Sequence, residues 1–333
     1  MHDEGFRVLL VGDLHHQASD RDSLLCSRAL PLWRALAGHL RGDPPRAILQ
    51  VGDLIDGYHL PLETCKEDFR RIAEEVRRTP CPVHTLIGNH ETIYLPDRTF
   101  LLSAMGVEAF SRVIELGALR VILFDLTVDG ESFGAFTSER RAWLEAAVAD
   151  APAKPCIVVQ HQLVHPTDEK CTHRHYVRES GAYRRWLAGR PEVRLIVTGH
   201  RHIPTFSALN APAGQAAAQE ALELPGVTAQ VTLPAFCAWP FTLSELRVEP
   251  ARRRLELRER PLEEFVAPAF AAALPELIER GRRLRVDEHP AVWAQRERLT
   301  PELRQINLSW ASDSDNRPAA SECKAPWSTP RRP

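Results

Sequence analysis

The chain has 333 residues, of which 44% are hydrophobic, enough for a substantial core in one large domain or two modest ones. Lys+Arg number 42 against 44 Asp+Glu, a net charge of −2, which excludes a global positive field drawing the chain to nucleic acid or an anionic membrane. Seven scattered cysteines without a CxxC pair suit reduced thiols and a cytoplasmic location better than a disulfide framework.

Residues 6–11 form the first apolar, β-rich run. It is short, follows an acidic start and leads straight into Gly12-Asp13, so it does not read as a signal peptide. A helix is expected within residues 20–40, broken or started by Pro31. Residues 47–51 are a second strand ending at Gly52-Asp53. Over residues 62–78, Cys65, Phe69, Ile72, Ala73 and Val76 recur at helical spacing. Strands follow at 83–87, ending at Gly88-Asn89, and at 119–126. A helix over 137–149 carries Trp143, Leu144, Ala147 and Val148 on one side. Strands at 156–159 and 193–197 stop at Gln160-His161 and Thr198-Gly199-His200. This alternation predicts βαβ units and a mainly parallel inner layer.

After His202 the pattern changes. Residues 208–221 are alanine-rich and suit a loop or short helix. Runs at 227–233, 242–248 and 254–258 read as strands of a second sheet, and 263–285 as partly helical. The polar, Pro- and Ser-rich stretch from 309 to 333 is expected to be disordered. Arginines 252–254, 282, 283 and 285 read as solvated faces. No stretch reaches the roughly 18 apolar residues of a membrane-spanning helix.

Five short motifs carry the chemistry: Asp13-Leu14-His15, Gly52-Asp53-Leu54-Ile55-Asp56, Gly88-Asn89-His90-Glu91, His161, and Gly199-His200-Arg201-His202. Each ends an apolar run. In open α/β sheets the carboxyl ends of strands converge on one binding crevice. Carboxylate, amide and imidazole donors together suit two divalent ions, Mn, Fe, Zn, Co or Ni. A shared carboxylate can bridge two cations about 3.5–4 Å apart, where a bridging water becomes a hydroxide nucleophile near neutral pH.

This set, D-x-H, GD-x-x-D, GNH-[DE], a strand-end His and GH-x-H, resembles the calcineurin-like metallophosphoesterases over roughly residues 6–250. The resemblance implies a four-layer α/β/β/α sandwich. It implies one metal on Asp13, His15, Asp53 and His202, and another on Asp53, Asn89, His161 and His200, with Asp53 as the bridge. His90 would stabilise the transition state or protonate the leaving oxygen, and Asp56 would orient it. The fourth motif leaves His161 and His165 open as the ligand, with His161 favoured because it caps the strand. GDLIDGY followed by PVHTLIGNHE looks most like enzymes that cleave ADP-ribose or CDP-alcohols; the class III cyclic-nucleotide phosphodiesterases share the metal motifs.

The expected partner is a small phosphate ester of nucleotide type, with no membrane and no nucleic acid. Tyr58 and His59 are candidate pocket residues. His165, His173, Arg174, His175 and Arg178 are a candidate lid reading the substrate. A nuclease of the same superfamily would need a basic groove, and a non-catalytic module on the same fold would be free to lose ligands. Residues 1–260 are expected to form the catalytic domain and 261–333 a C-terminal extension, partly helical and then a disordered tail.

Overall fold

A strand apolar at every position needs cover on both faces, because its side chains alternate. In β1 (Phe6–Val11) Leu9 and Val11 enter one core, and Val8 and Leu10 a second. In β2 (Ala47–Gln50) Ile48 joins the first, Ala47 and Leu49 the second. The structure, a computed structural model, describes residues 5–149, 154–167, 171–209, 228–266, 274–288, 293 and 305–310.

The remaining strands are β3 (Val83–Thr85), β4 (Arg112–Leu116), β5 (Leu119–Leu123), β6 (Cys156–Val159), β7 (Val193–Thr198), β8 (Thr205–Ala208), β9 (Ala229–Thr232), β10 (Thr242–Glu249), β11 (Arg254–Pro261) and β12 (Gln305–Ser309). The first sheet runs β12-β11-β10-β1-β2-β3 and the second β4-β5-β6-β7-β9-β8. Pairs β1–β2–β3 and β5–β6–β7–β9 are parallel, whereas the outer pairs are antiparallel.

The helices are α1 (Ala29–His39), α2 (Leu62–Arg77), α3 (Asn89–Tyr94), α4 (Arg98–Met105), α5 (Ser138–Ala149), α6 (Ser180–Ala188) and α7 (Leu274–Glu288), with short 3-10 turns at Cys26–Arg28, Pro250–Arg252 and Leu262–Phe265. Trp33, Leu36, Phe69, Ile72, Leu101 and Leu274 place α1, α2, α4 and α7 on the outer face of the first sheet. Leu144, Val148, Tyr183 and Leu187 place α5 and α6 on that of the second. Between the sheets, Val8, Leu10 and Leu49 meet Val121, Ile157, Leu195 and Val197. The molecule is therefore a four-layer α/β/β/α sandwich. Pro31 sits in the first turn of α1, where its missing N–H costs nothing.

Two expectations are corrected. The late strands do not build a sheet of their own: β9 inserts between β7 and β8, while β10 and β11 extend the first sheet beside β1. Their apolar residues Val231, Leu246 and Leu255 share the inter-sheet core, which rewards splitting them. The tail expected to be disordered from 309 starts on the last residue of β12, which pairs antiparallel with β11. Residues 210–227, covering most of the alanine-rich stretch, and 311–333 lie outside the described residues. Among the described residues, no helix is long and apolar enough to cross a membrane.

Candidate metal centre

Parallel pairing brings the ends of β1, β2 and β3 to one edge of the sandwich, with the ends of β6 and β7 beside them. The N–H groups of Leu14 and His15 both donate to the Asp53 carbonyl at 2.9 Å. Gln50, the last residue of β2, donates to the Gly52 carbonyl at 2.6 Å and accepts from the Gly52 N–H at 3.0 Å. Glu91, fully buried, accepts from the N–H groups of Asp53 at 2.9 Å, Ile55 at 3.1 Å and Gly88 at 2.7 Å. The Asp53 and Asp13 carboxylates accept from the N–H groups of His90 at 2.9 Å and His200 at 2.8 Å.

Two glycines are required by close approach. A Cβ on Gly88 would lie 2.1 Å from Asp53 Oδ1, and one on Gly199 2.3 Å from Asp13 Oδ1. Four motif residues also have left-handed backbone: His15, Asp53, His200 and His202, with φ of 47°, 52°, 65° and 58°. Such conformations cost about 1–3 kcal/mol each and persist where the surroundings over-determine them.

Among the described residues, the side chains fall into three groups whose ligand atoms lie within 4.8 Å of one another: Asp13, His15 and His202; Asp53, His161 and His200; and His15, Asp56 and His90. Asp53 Oδ2 is central, 3.3 Å from His161 Nε2, 3.7 Å from His15 Nε2 and 4.0 Å from His90 Nε2. Asn89 Oδ1 lies 2.9 Å from His161 Nε2. His202 Nε2 is 3.2 Å from Asp13 Oδ2 and 2.9 Å from His15 Nε2.

The donor set fits cations. His161 Nδ1 donates to the Val51 carbonyl at 2.9 Å, so in the neutral ring the Nε2 lone pair faces the oxygens of Asn89 and Asp53. His200 Nε2 donates to the Arg174 carbonyl at 2.9 Å, leaving its Nδ1 as the lone-pair nitrogen. Among the described residues, Asp13 Oδ1, Asp53 Oδ2 and Asp56 Oδ2 are buried without a hydrogen-bond donor. Convergent acceptors of this kind are costly unless positive charge sits among them.

Burial pushes the Asp13 carboxyl up to about 8, against the pull of His161. Burial acts the same way on Asp53, but His161, His90 and His15 hold it well below the usual carboxylate range. His161 is the counterpart: burial opposes its charge, yet Asp53 and Asp13 raise it to about 9. Burial lowers His200 and His202, helped by neighbouring imidazoles. Both stay neutral and able to ligate.

Asp56 is fully buried, with Oδ1 3.2 Å from His15 Nδ1, 3.5 Å from His90 Nδ1 and 2.8 Å from Arg21 Nη2. The His90 ring also contacts the Asp56 carbonyl through Nδ1. Tyr58 is 41% exposed, its ring 3.9 Å from that of His59 and beneath the Arg21 guanidinium at 5.1 Å. His175 brings its ring within 5.6 Å of His200, so the segment after the fourth motif reaches the centre. His165 belongs to none of the ligand groups; its N–H and carbonyl are taken by the Gln230 amide at 3.0 Å each.

Gln50, Glu91, Arg21 and Arg285 carry no assigned role in the sequence reading. Gln50 had a signal, as a polar end to a buried strand, and Glu91 lay within a quoted motif. Arg21 had none. Arg285 is a correction: it is not on a solvated face but 3% exposed, donating to the His202 carbonyl at 2.9 Å.

Comparison with known proteins agrees with this geometry. Over 203 residues, 59% of this chain and 69% of the relative, the chain is 26% identical to the 3',5'-cyclic adenosine monophosphate phosphodiesterase CpdA of Escherichia coli strain K12. A 48-residue stretch, 14% of each chain, is 40% identical to a manganese-dependent ADP-ribose/CDP-alcohol diphosphatase of Bos taurus. A dimetal phosphatase from Danio rerio has the same fold, with TM-score 0.61 at 16% identity over 77% of this chain and 96% of that one. The sequence profile described as calcineurin-like phosphoesterase matches residues 6–204, so the chain belongs to the calcineurin-like phosphoesterase family and is a hydrolase.

Proposed function

We propose that this hydrolase cleaves a phosphodiester or pyrophosphate bond in a small nucleotide-type molecule, using two divalent cations held around Asp53. The observation that carries the reading is the pair of ligand groups, Asp13–His15–His202 and Asp53–His161–His200, with Asp53 Oδ2 central among them. One cation would be held by Asp13, His15, Asp53 and His202, the other by Asp53, Asn89, His161 and His200. Bound there, the cations supply Lewis-acid charge for the phosphoryl oxygens and acidify water enough for it to attack phosphorus.

The chain's own groups do the rest. His90 turns Nδ1 to the Asp56 carbonyl, leaving Nε2 on the Asp53 side of the cleft. Burial lowers His90 against the pull of Asp53 and of Asp56, whose carboxylate is 3.5 Å from Nδ1, so a proton on Nε2 would be given up readily to the departing oxygen. Arg21, Tyr58 and His59 would receive the leaving group: the cation meets a second anionic group and the exposed rings stack on a base. His165 and His175 would contact the substrate as well; the His175 ring lies 5.6 Å from that of His200. Nucleotide substrates are named for two of the relatives, CpdA and the ADP-ribose/CDP-alcohol diphosphatase. Residues 1–260 would form the catalytic unit, with 261–333 as its extension.

Asp53→Ala and His200→Ala should each reduce turnover of bis-p-nitrophenyl phosphate with Mn²⁺ to background. Wild-type rates in either variant would overturn the scheme. A screen of cyclic AMP, ADP-ribose, CDP-choline and simple monoesters then tests the substrate class. Preference for monoesters would reject it.

A further inference from the structure

We propose that Arg285, on α7 and outside the segment the family profile matches, is a positioning residue for the cation held by Asp13, His15 and His202. The inference rests on the two-cation reading above. Arg285 Nη2 donates to the His202 carbonyl at 2.9 Å and Nη1 to the Ser23 hydroxyl at 3.0 Å, tying the loop after β7 to the loop after β1. The guanidinium lies 5.9 Å from the centroid of the buried Trp293 ring, which in turn packs edge-on against Trp239 at 4.5 Å.

Five positions earlier, Arg280 donates to Asp20 at 2.9 Å. The same Asp20 accepts from the Ser27 N–H at 3.0 Å and hydroxyl at 2.7 Å. One helix therefore fastens both the β1 loop and the β7 loop. The close seat of α7 leaves little room at Gly281, where a Cβ would lie 3.1 Å from Phe241 and 3.2 Å from Trp239.

The clamp acts on one cradle more than the other. His202 has left-handed backbone, φ 58°, and its carbonyl is anchored by Arg285. Glu91 on the Asp53 N–H serves both cradles, whereas the second has supports of its own: the Val51 carbonyl on His161 and the Arg174 carbonyl on His200. Loss of Arg285 should thus release His202 while leaving His161 and His200 in place. A bare increase in stability from α7 would not discriminate between the two cradles.

The test is calorimetric titration of the metal-free 333-residue chain with Mn²⁺ alone, with thermal unfolding of the same metal-free samples. In Arg285→Met one Mn²⁺ should bind about 10–100-fold more weakly, the range typical of lost outer-sphere support, and the other within about twofold of wild type. Arg285→Lys, whose ammonium lacks the two-pronged reach, should fall between. Ser23→Ala should weaken the same single site with little change in unfolding temperature, and it carries the test if Arg285→Met does not fold. Equal weakening of both sites in step with lower stability, or unchanged affinities in all three variants, would overturn the proposal. Failure of the wild-type protein to bind two Mn²⁺ would instead overturn the two-cation reading.

Discussion

Glu91 does structural work that its place in the third motif does not announce. Its two oxygens accept three backbone N–H groups, from Gly88, Asp53 and Ile55, and so lock the loop after β2 to the start of α3. Burial and the Asp53 charge push its carboxyl up to about 7, while the Gly88 and Ile55 donors pull it back. Glu91→Gln replaces one acceptor oxygen with an amide NH2 facing a backbone N–H. A buried donor left unsatisfied costs about 1–3 kcal/mol, so urea unfolding of the chelated variant should show a loss of that size. Loss below about 0.5 kcal/mol would mean that the carboxylate charge is dispensable to the loop. Six of the seven proposed ligands, Asp13, His15, Asp53, Asn89, His200 and His202, stand out in the sequence because each has a glycine beside it or a second candidate two residues away at the tip of an apolar run, whereas His161 is marked only by capping its strand. Arg285 does not stand out: Arg282, Arg283 and Arg285 look alike in sequence, and only the pitch of α7 decides that the third is buried while the first two are exposed.

At the level of elements, the inner strands were legible and the edges were not. β1, β2, β5, β6 and β7 are buried at almost every position, and continuous apolar runs announce that. β4, with its half-exposed RVIEL, and the polar β12 depend on a neighbour that the chain supplies from elsewhere. The edges nevertheless hold the sheets together. Arg112 of β4 donates across to the carbonyl of Thr85 in β3 at 3.0 Å. Beside it, His84 is held down to about 4 by burial and the Arg112 charge. A histidine that resists protonation when folded favours the fold above its ordinary value near 6.5. That contribution is lost as pH falls from there toward 4, because the unfolded chain takes up the proton first. His84→Gln should therefore flatten the decline in unfolding temperature between pH 7 and pH 4.5. Parallel curves for the two proteins over that range would remove His84 from the account.

For the whole molecule, the sandwich gathers at one end what its core excludes. Asp13, Asp53 and Asp56 are all at most 1% exposed and meet at the edge where the two sheets deliver their loops. Without cations, burial drives Asp13 up toward 8, with His161 opposing and the Asp53 charge adding to it, and the carboxyl takes up a proton. Cation binding must displace that proton, so it ties the metal to the fold and to pH together. A cation that binds only the folded chain stabilises it by about 2.7 kcal/mol at a hundredfold excess over its dissociation constant. Two such sites sharing Asp53 should raise the unfolding temperature by several degrees when Mn²⁺ is restored to chelated protein, and the rise should be larger at pH 8 than at pH 6. Asp53→Ala removes the shared ligand and should abolish most of the rise, even if its metal-free form is as stable as the wild type or more so, since one buried charge is gone. Differential scanning calorimetry of both proteins with and without Mn²⁺ measures all four states. A full metal-dependent rise in Asp53→Ala would place the stabilising cations somewhere other than this cluster.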